Sequence, residues 1–222
     1  MIDVEYTIGL LPVVTMDLDT TLWMTLGGLM LSLSLGLVLA LLKIIKPFYL
    51  QYFADLYISF FRGSPLLVQL FIFYYGLPQF FPAMAKMPAI VAVIIGLGLH
   101  FAAYMAESMR AAILGIHPGQ MEAALSVGMT KAQGMRRIIL PQAARVAFPG
   151  LMNNTIDLLK STSLAFTLGV VEIMARAQME AASSFRFFES YLTVALVYWL
   201  VVVACTWFQK KTEQYLNRAY LT

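Results

Sequence analysis

Charged residues are scarce in this chain of 222 residues. Asp, Glu, Lys and Arg make up only 12% of it, about half the share in an average soluble domain, while 60% of the residues are hydrophobic. The single cysteine excludes an intrachain disulfide. With only two histidines beside it, the chain has little material for a zinc site or a nucleophile–base pair. We therefore expect no catalytic and no metal-binding residue, and the shortage of charge points to a membrane protein.

Long stretches of the chain contain no charged side chain at all. Four of them are 20 to 23 residues long, and a helix needs about 20 apolar residues to cross about 30 Å of hydrocarbon. A fifth candidate is interrupted only by Asp157 and Lys160. We predict an all-α membrane protein with a single transmembrane domain, 1–222, and five spans at about 20–42, 56–77, 88–109, 146–170 and 189–209.

Lys and Arg are unevenly distributed over the segments that join these spans. Cytoplasmic loops of membrane proteins are enriched in both residues. Alternate segments of this chain carry eleven and three of them, with Lys160 inside a span. The richer set includes the polar loop at about 115–141 and the C-terminal tail. The distribution predicts that the N-terminus lies outside, and that the C-terminus and the polar loop are cytoplasmic.

Polar side chains recur on one face of the third span. His100, Tyr104 and Glu107 are four and three residues apart, which places them on the same side of a helix. A glutamate at membrane depth is costly and usually faces a bundle interior or an aqueous cavity. Two interpretations stay open: this face borders a transport path, or Glu107 forms a structural pair near the inner end of the span. His100 is either a hydrogen-bonded bundle histidine or a solute contact. A metal ligand is disfavoured, because His117 is the only other histidine.

The fourth span carries charge as well. Asp157 and Lys160 are three residues apart, so they either neutralise each other on one helix face or line a polar pathway. Ser161 can hydrogen-bond a ligand or the preceding turn. In the second span, Pro65 follows Arg62-Gly-Ser and disfavours helix at the residue before it. We expect the span to begin there, with Arg62 near the cytosolic headgroups.

The polar loop at about 115–141 has the spacing of two short helices. Pro118 suits a first helical turn, and Gly128 can adopt the left-handed conformation that ends a helix. Thr130, followed three residues later by Gln133, is a capping box that begins a second helix. Pro141 is expected to kink or stop that helix. One side of it is predicted to be buried, formed by Ala132, Met135, Ile138 and Ile139. The loop therefore predicts a compact docking element.

A longer pattern in the same loop is that of a known family. Glu-Ala-Ala, three residues, Gly, nine residues and Ile-x-Leu-Pro form the signature loop of bacterial ABC importer permeases. This chain resembles that loop at Glu122, Ala123, Ala124, Gly128, Ile138, Leu140 and Pro141. It is also similar to the polar amino acid branch of these permeases in segments 61–67, 75–78, 102–107 and 160–164. The chain length and the five predicted spans match the same family.

The resemblance implies a transport subunit of the bacterial plasma (inner) membrane, not an enzyme. Two permease subunits, identical or homologous, would form the pore, and an extracytoplasmic solute-binding protein would deliver the amino acid. Two copies of an ABC ATPase would bind ATP and Mg, because this chain has no GxxxxGK phosphate loop. No cofactor is expected on this chain, and no nucleic acid as a partner.

The same resemblance assigns roles to single residues. Glu122 would make a polar contact in a groove of the ATPase, and Ala123 and Ala124 would allow close approach to it. Gly128 would set the turn of the coupling loop.

Within the bilayer, Glu107 is the best candidate for the amino group of the solute and Lys160 for its carboxylate. The family often has an acidic or amide residue after the lysine, whereas this chain has Ser161, so a contact there with a basic solute is not carried over.

The resemblance also favours one substrate, and two other functions are weighed against the importer. Residues 74–79 look most like the cystine-type permeases, which makes cystine the favoured substrate. An ion-coupled secondary transporter or channel subunit is the first alternative, although no inverted repeat is found. An intramembrane enzyme is the second, and it lacks the residues that such chemistry needs.

Overall fold

Helices form nearly all of the structure, a computed structural model that describes residues 3–45 and 48–218. Short 3₁₀ or π segments join several of them, and no strand occurs in the described residues, so the predicted all-α fold is confirmed. The helices are α1 (Val4–Val14), α2 (Leu18–Ile45), α3 (Phe48–Gly63), α4 (Leu66–Phe71), α5 (Ala89–Leu114), α6 (Gly119–Ser126), α7 (Lys131–Gly134), α8 (Leu140–Ser161), α9 (Ile173–Ser184) and α10 (Phe187–Asn217).

Three of these segments are long and apolar enough to cross a bilayer as single helices. They are Val4–Ile45, Ala89–Leu114 and Phe187–Leu216. Two further crossings result if each of two bent helix pairs forms one span. The pairs bend by 109° between α3 and α4, and by 51° between the segment Lys131–Leu168 and α9. By length and composition the described residues thus supply three to five spans.

The second predicted span is not a straight helix. The chain leaves α3 at Gly63, and Pro65 has an extended conformation (φ −64°, ψ 135°) before α4 begins. A proline cannot donate an N–H and hinders helix at the preceding residue. The break frees carbonyl groups at the end of α3. The side-chain amide of the buried Gln69 satisfies two of them, at 3.1 Å from the Phe61 oxygen and 3.0 Å from the Ser64 oxygen.

Helix α5 is the central helix of the bundle. It packs along α2, α8, α3 and α4, and almost half of its residues are buried. Small side chains on α2 allow this close packing, because Gly28, Ser32, Gly36 and Ala40 are all buried. Since α6 follows directly from α5, one end of this core carries the polar loop. The other end is closed by α1, α9 and α10, which share the apolar cluster around Val14 and Ile173.

Ion pairs fasten the end of the bundle that carries α1. Asp3 lies 2.7 Å from Arg186, whose guanidinium also stacks over Tyr6 at 4.3 Å. Asp17, between α1 and α2, lies 2.6 Å from Arg176 on α9. These contacts join segments that are more than 150 residues apart in the chain.

Candidate coupling and translocation site

Helix α6 presents the motif residues at one tip of the molecule. Glu122 and Ala123 are exposed, and Glu122 lies in the first turn of the helix. Leu125 and Val127 are exposed as well, at 41% and 73%. A carboxylate beside exposed apolar side chains on a short helix is a surface that can enter a groove of another protein. Within the Glu-Ala-Ala triplet, the exposed residues are therefore Glu122 and Ala123.

Ala124 does not belong to that surface. It is only 4% exposed, and it packs inside the helix–turn–helix formed by α6 and α7. A Cβ placed at Gly134 would lie 3.2 Å from the Cβ of Ala124 and 2.9 Å from the sulfur of Met121, so glycine permits this approach. The expectation that Ala124 allows close approach to another protein is corrected: it allows the approach of α7 to α6.

Gly128 ends α6 in the left-handed conformation, as predicted. Its φ is +84°, a region that glycine adopts without strain. The Met129 N–H donates to the Ala124 carbonyl at 3.1 Å, and the Gly128 N–H donates to the Leu125 carbonyl at 3.0 Å. These two bonds form a Schellman motif, which fixes the direction of the chain between the two helices.

The predicted capping box begins α7. The Thr130 N–H donates to the Gln133 side-chain oxygen at 2.8 Å, and the Gln133 N–H donates to the Thr130 hydroxyl at 3.3 Å. The buried side of the helix differs from the prediction. Ala132 is exposed, whereas Gly134 and Ile139 are buried. The predicted stripe was wrong at Ala132 because α6 contacts the helix through Gly134 instead.

Pro141 does not end the helix that begins at Lys131. The helical segment runs from Lys131 to Leu168 without interruption, so the second helix of the loop and the fourth predicted span are one rod. Residues Met135–Ile139 have π-helical geometry just before the proline. Wider turns of this kind accommodate a residue that has no N–H to donate. The prediction that Pro141 stops the helix is wrong, and the alternative of a kink there stays a prediction.

Contacts around Leu140 attach the rod to the rest of the bundle. Ile138 is half-buried, and its carbonyl accepts a hydrogen bond of 2.9 Å from the Gln142 amide. The same amide lies 3.4 Å from the Gln120 side-chain oxygen on α6. Leu140 lines a groove of about 280 Å³ with Leu37 and other residues of α2, α5 and α8. These contacts connect α6 to the beginning of α8.

On α5, the structure supports the pairing interpretation for His100. His100 is 8% exposed, and its Nδ1 lies 2.9 Å from the Gln69 oxygen. An amide oxygen only accepts, so this Nδ1 carries the proton. The ring of Tyr104 lies 5.1 Å from the His100 ring. His100 thus anchors the residue that caps the break between α3 and α4.

Glu107 forms the centre of a four-residue ion network. Its carboxylate lies 2.8 Å from the Lys43 ammonium and 2.7 Å from Arg110. Lys43 also lies 3.0 Å from Asp55 on α3. The network joins α2, α3 and α5 near the end of α5 that leads to α6. Of the two open interpretations, the contacts favour structural pairing for Glu107.

Asp157 and Lys160 neutralise each other, which was one of the two alternatives. Their charged atoms lie 2.7 Å apart, and both side chains are more than half exposed. Ser161 donates to the Asp157 carbonyl at 2.8 Å, one turn back on the same helix. Lys160 also borders an open pocket of about 400 Å³ with Tyr191 and Tyr198 of α10.

Arg62, at the end of α3, contacts the third predicted span. Its guanidinium carbon is 5.4 Å from the centre of the Tyr104 ring. Tyr104 is ten residues from the end of α5, which corresponds to about 15 Å along a helix. Arg62 on α3 thus lies beside Tyr104 of the third predicted span, and its position near the cytosolic headgroups stays a prediction.

Two groups of predicted path residues result, and the structure does not join them. His100, Tyr104 and Glu107 lie on α5, whereas Asp157, Lys160 and Ser161 lie on α8. Across the described residues, no hydrogen bond or ion pair connects the groups. Sequence reasoning missed the partners of His100 and Glu107, which are Lys43, Asp55, Gln69 and Arg110. Of these, Gln69 lies inside a charge-free stretch, where its polarity was a signal.

Comparisons with known proteins agree with this architecture. The family model described as the binding-protein-dependent transport system inner membrane component matches residues 20–218. A Vibrio harveyi protein named as a probable amino-acid ABC transporter permease, PatM, is 61% identical over 219 residues, which cover 99% of this chain and 98% of that protein. The Bacillus subtilis L-cystine transport system permease TcyL is 39% identical over 211 residues, covering 93% of this chain and 88% of that protein.

A solved structure has the same fold. It is described as the crystal structure of an amino acid ABC transporter with histidines. Its chain is 34% identical, with a TM-score of 0.87, and the match covers 96% of this chain and 99% of that chain.

The family match covers most of the chain, and the relatives match nearly end to end. The predicted resemblance to ABC importer permeases is confirmed, and with it a multi-pass subunit of the inner membrane that is not itself an enzyme. The roles of single residues remain predictions. The chain belongs to the family of inner membrane components of binding-protein-dependent transport systems.

Proposed function

We propose that this chain is the pore-forming permease of an ATP-driven importer for polar amino acids. One observation carries the proposal: the exposed helix α6 is mounted, through the Gly128 turn and the α7 contact, on a continuous rod that enters the bundle. Such an arrangement converts a push on α6 into movement of α8. The names of the relatives support an amino acid as cargo, since PatM and TcyL are both named as amino acid or cystine permeases.

The force would come from a separate ATPase chain. We assign the docking contact to Glu122 and Ala123, the exposed residues of the Glu-Ala-Ala triplet. Glu122 forms no ion pair within the described part of the chain, so its carboxylate is available to a partner. ATP and Mg would bind to two copies of the ATPase, which would close and draw two α6 helices together. A second permease, identical or homologous, would complete the pore.

The orientation follows from charge and from the position of α6. The ATPase is cytoplasmic, so the end of the bundle that carries α6 faces the cytoplasm. The N-terminus then lies outside and the C-terminus inside, which agrees with eleven Lys and Arg residues on the inner segments against three on the outer ones. The solute-binding protein would dock at the opposite end, where α1 and α9 lie.

Cystine is the favoured substrate within this class. TcyL is a cystine permease by name and is 39% identical, and residues 74–79 resemble that branch. The related solved structure is described with histidines, so the fold also serves another polar amino acid. The path residues that we retain as a proposal are His100, Tyr104, Glu107, Asp157, Lys160 and Ser161.

Reconstitution tests the proposal. The full chain is incorporated into liposomes with its ATPase and its binding protein, and ATP hydrolysis is measured with each standard amino acid and with L-cystine. We expect L-cystine to stimulate most strongly, and stimulation by another polar amino acid alone would refute cystine while retaining the class. Glu122→Ala should reduce stimulation, whereas Glu213→Ala, which removes a carboxylate from α10 that among the described residues hydrogen-bonds only Gln209, should not. A complex that no amino acid stimulates would refute the proposed function.

A further inference from the structure

Arg62 is a charged residue of the predicted spans that forms no ion pair with the described residues. It lies at the end of α3, directly before the 109° bend into α4. We propose that Arg62 binds the carboxylate of the transported amino acid. The inference rests on the proposed function, and it adds a solute-binding residue that the sequence pattern did not indicate.

Arg62 lies level with the inner half of the third predicted span, beside Tyr104. Its guanidinium lies over Tyr104, about one turn further from the end of α5 than Glu107 and nearly two turns further than Arg110. A cation at such depth is costly unless it faces a water-filled cavity or a counter-charge. The side chain is exposed in the single subunit, so it faces outward from the bundle rather than into its core.

The other charged groups in the predicted spans already have partners. Glu107 contacts two cations, and Asp157 and Lys160 contact each other. Among the described residues, no carboxylate lies within ion-pair distance of Arg62. Arg62 is thus a cation of the predicted spans that no carboxylate of the described residues neutralises. A carboxylate that enters the path would supply the missing counter-charge.

The surroundings of Arg62 hold its guanidinium in place. One face of the group stacks on the Tyr104 ring, which leaves the N–H groups at its edge available. The backbone that carries Arg62 is fixed as well, because Gln69 binds the carbonyls of Phe61 and Ser64 on either side of it. His100 holds the Gln69 side chain from α5. A planar guanidinium presented in this way can bind both oxygens of one carboxylate.

This geometry identifies the part of the solute that is recognised. Every free amino acid has an α-carboxylate, so Arg62 would select for the class and leave the side chain to other residues. Lys160 loses the role that the family resemblance gave it, because Asp157 neutralises it in the structure. Amines that lack the carboxylate should pass Arg62 without a contact.

Equilibrium binding to the purified permease–ATPase complex tests the assignment. The binding protein is omitted, so that its own selectivity does not enter the result. The dissociation constant from the parent complex is measured for each standard amino acid and for L-cystine. It is also measured for the amine that each would give on decarboxylation, such as histamine for histidine and cystamine for cystine. A parent complex that binds none of the amino acids refutes the proposed function and this inference with it. Binding of one of them retains the function, and the variants then decide the role of Arg62.

Arg62→Gln should weaken binding of the amino acid by about 10- to 100-fold, the range for loss of a charge-assisted hydrogen bond. Arg62→Lys should weaken it less. Lys86→Gln removes an exposed cation from a loop outside the bundle core and should leave binding unchanged. The parent complex should bind the amine weakly, and Arg62→Gln should not lower its affinity for the amine further. The inference is overturned if Arg62→Gln has the parent's affinity for the amino acid. It is also overturned if the substitution weakens binding of the amine as much as binding of the amino acid.

Discussion

Replacing Gly128 by valine perturbs the α6–α7 turn through backbone strain alone. Its φ of +84° is left-handed, and a Cβ at this position would meet no atom within 4 Å. The substitution therefore creates no clash. A left-handed residue other than glycine costs about 1–2 kcal/mol, and a β-branched residue costs more. Since about 1–2 kcal/mol changes an equilibrium by about 5- to 30-fold, most Gly128→Val molecules should lose the Schellman turn and the native angle between α6 and the rod.

The assay is ATP-driven amino acid uptake in liposomes, with the amount of membrane-inserted permease measured in parallel. We expect Gly128→Val to insert normally and to transport at a small fraction of the parent rate. Gly128→Asn should retain most activity, because asparagine tolerates the left-handed region. Gly9→Val is the matched control: its Cβ also meets nothing within 4 Å, but its φ is not positive. Uptake by Gly128→Val at the parent rate would refute the role of the turn.

Three further predictions concern other parts of the molecule. A cysteine at the exposed Ala123 should cross-link to the ATPase, whereas one at the buried Ala124 should not; equal yields would contradict the assigned surface. Lys43→Met removes one of two cations from Glu107, which should cost about 1–3 kcal/mol and lower the thermal unfolding midpoint by several degrees; an unchanged midpoint would show that the network is not stabilising. The pKa of Asp3 is lowered by a backbone N–H and by its arginine partner. Its stabilisation is therefore present above the ordinary pKa of 3.8 and is lost as the pH falls through the lowered value. Asp3→Asn should accordingly be less stable than the parent at neutral pH, and the difference in unfolding midpoint should vanish in strong acid; a constant difference would refute the ion-pair explanation.

Local features of the polar loop could be predicted from sequence because their causes are local. The Thr130 capping box and the Gly128 turn depend on residues within one or two turns, and both occur as predicted. The ion pair between Asp157 and Lys160 is also local, since three residues separate them. The family signature was recognisable for the same reason, as its spacing lies within one short segment.

Features that depend on packing between helices could not be read from the sequence. Ala124 is buried because Gly134 comes close to it, and nothing in the Glu-Ala-Ala pattern indicates that contact. Lys43 and Glu107 are 64 residues apart, and their pairing requires α2 and α5 to lie side by side. The contact of Arg62 with the Tyr104 ring likewise requires α3 to pack against α5.

Uphill uptake with and without the ATPase chain tests the central claim most directly. The purified permease is reconstituted with the binding protein, ATP inside the vesicles and a labelled amino acid outside, and the ATPase is either included or left out. We predict accumulation above the external concentration only when the ATPase is present, and its loss when Glu122 is replaced by alanine. Accumulation against a gradient by vesicles that contain no ATPase would contradict the coupling through α6.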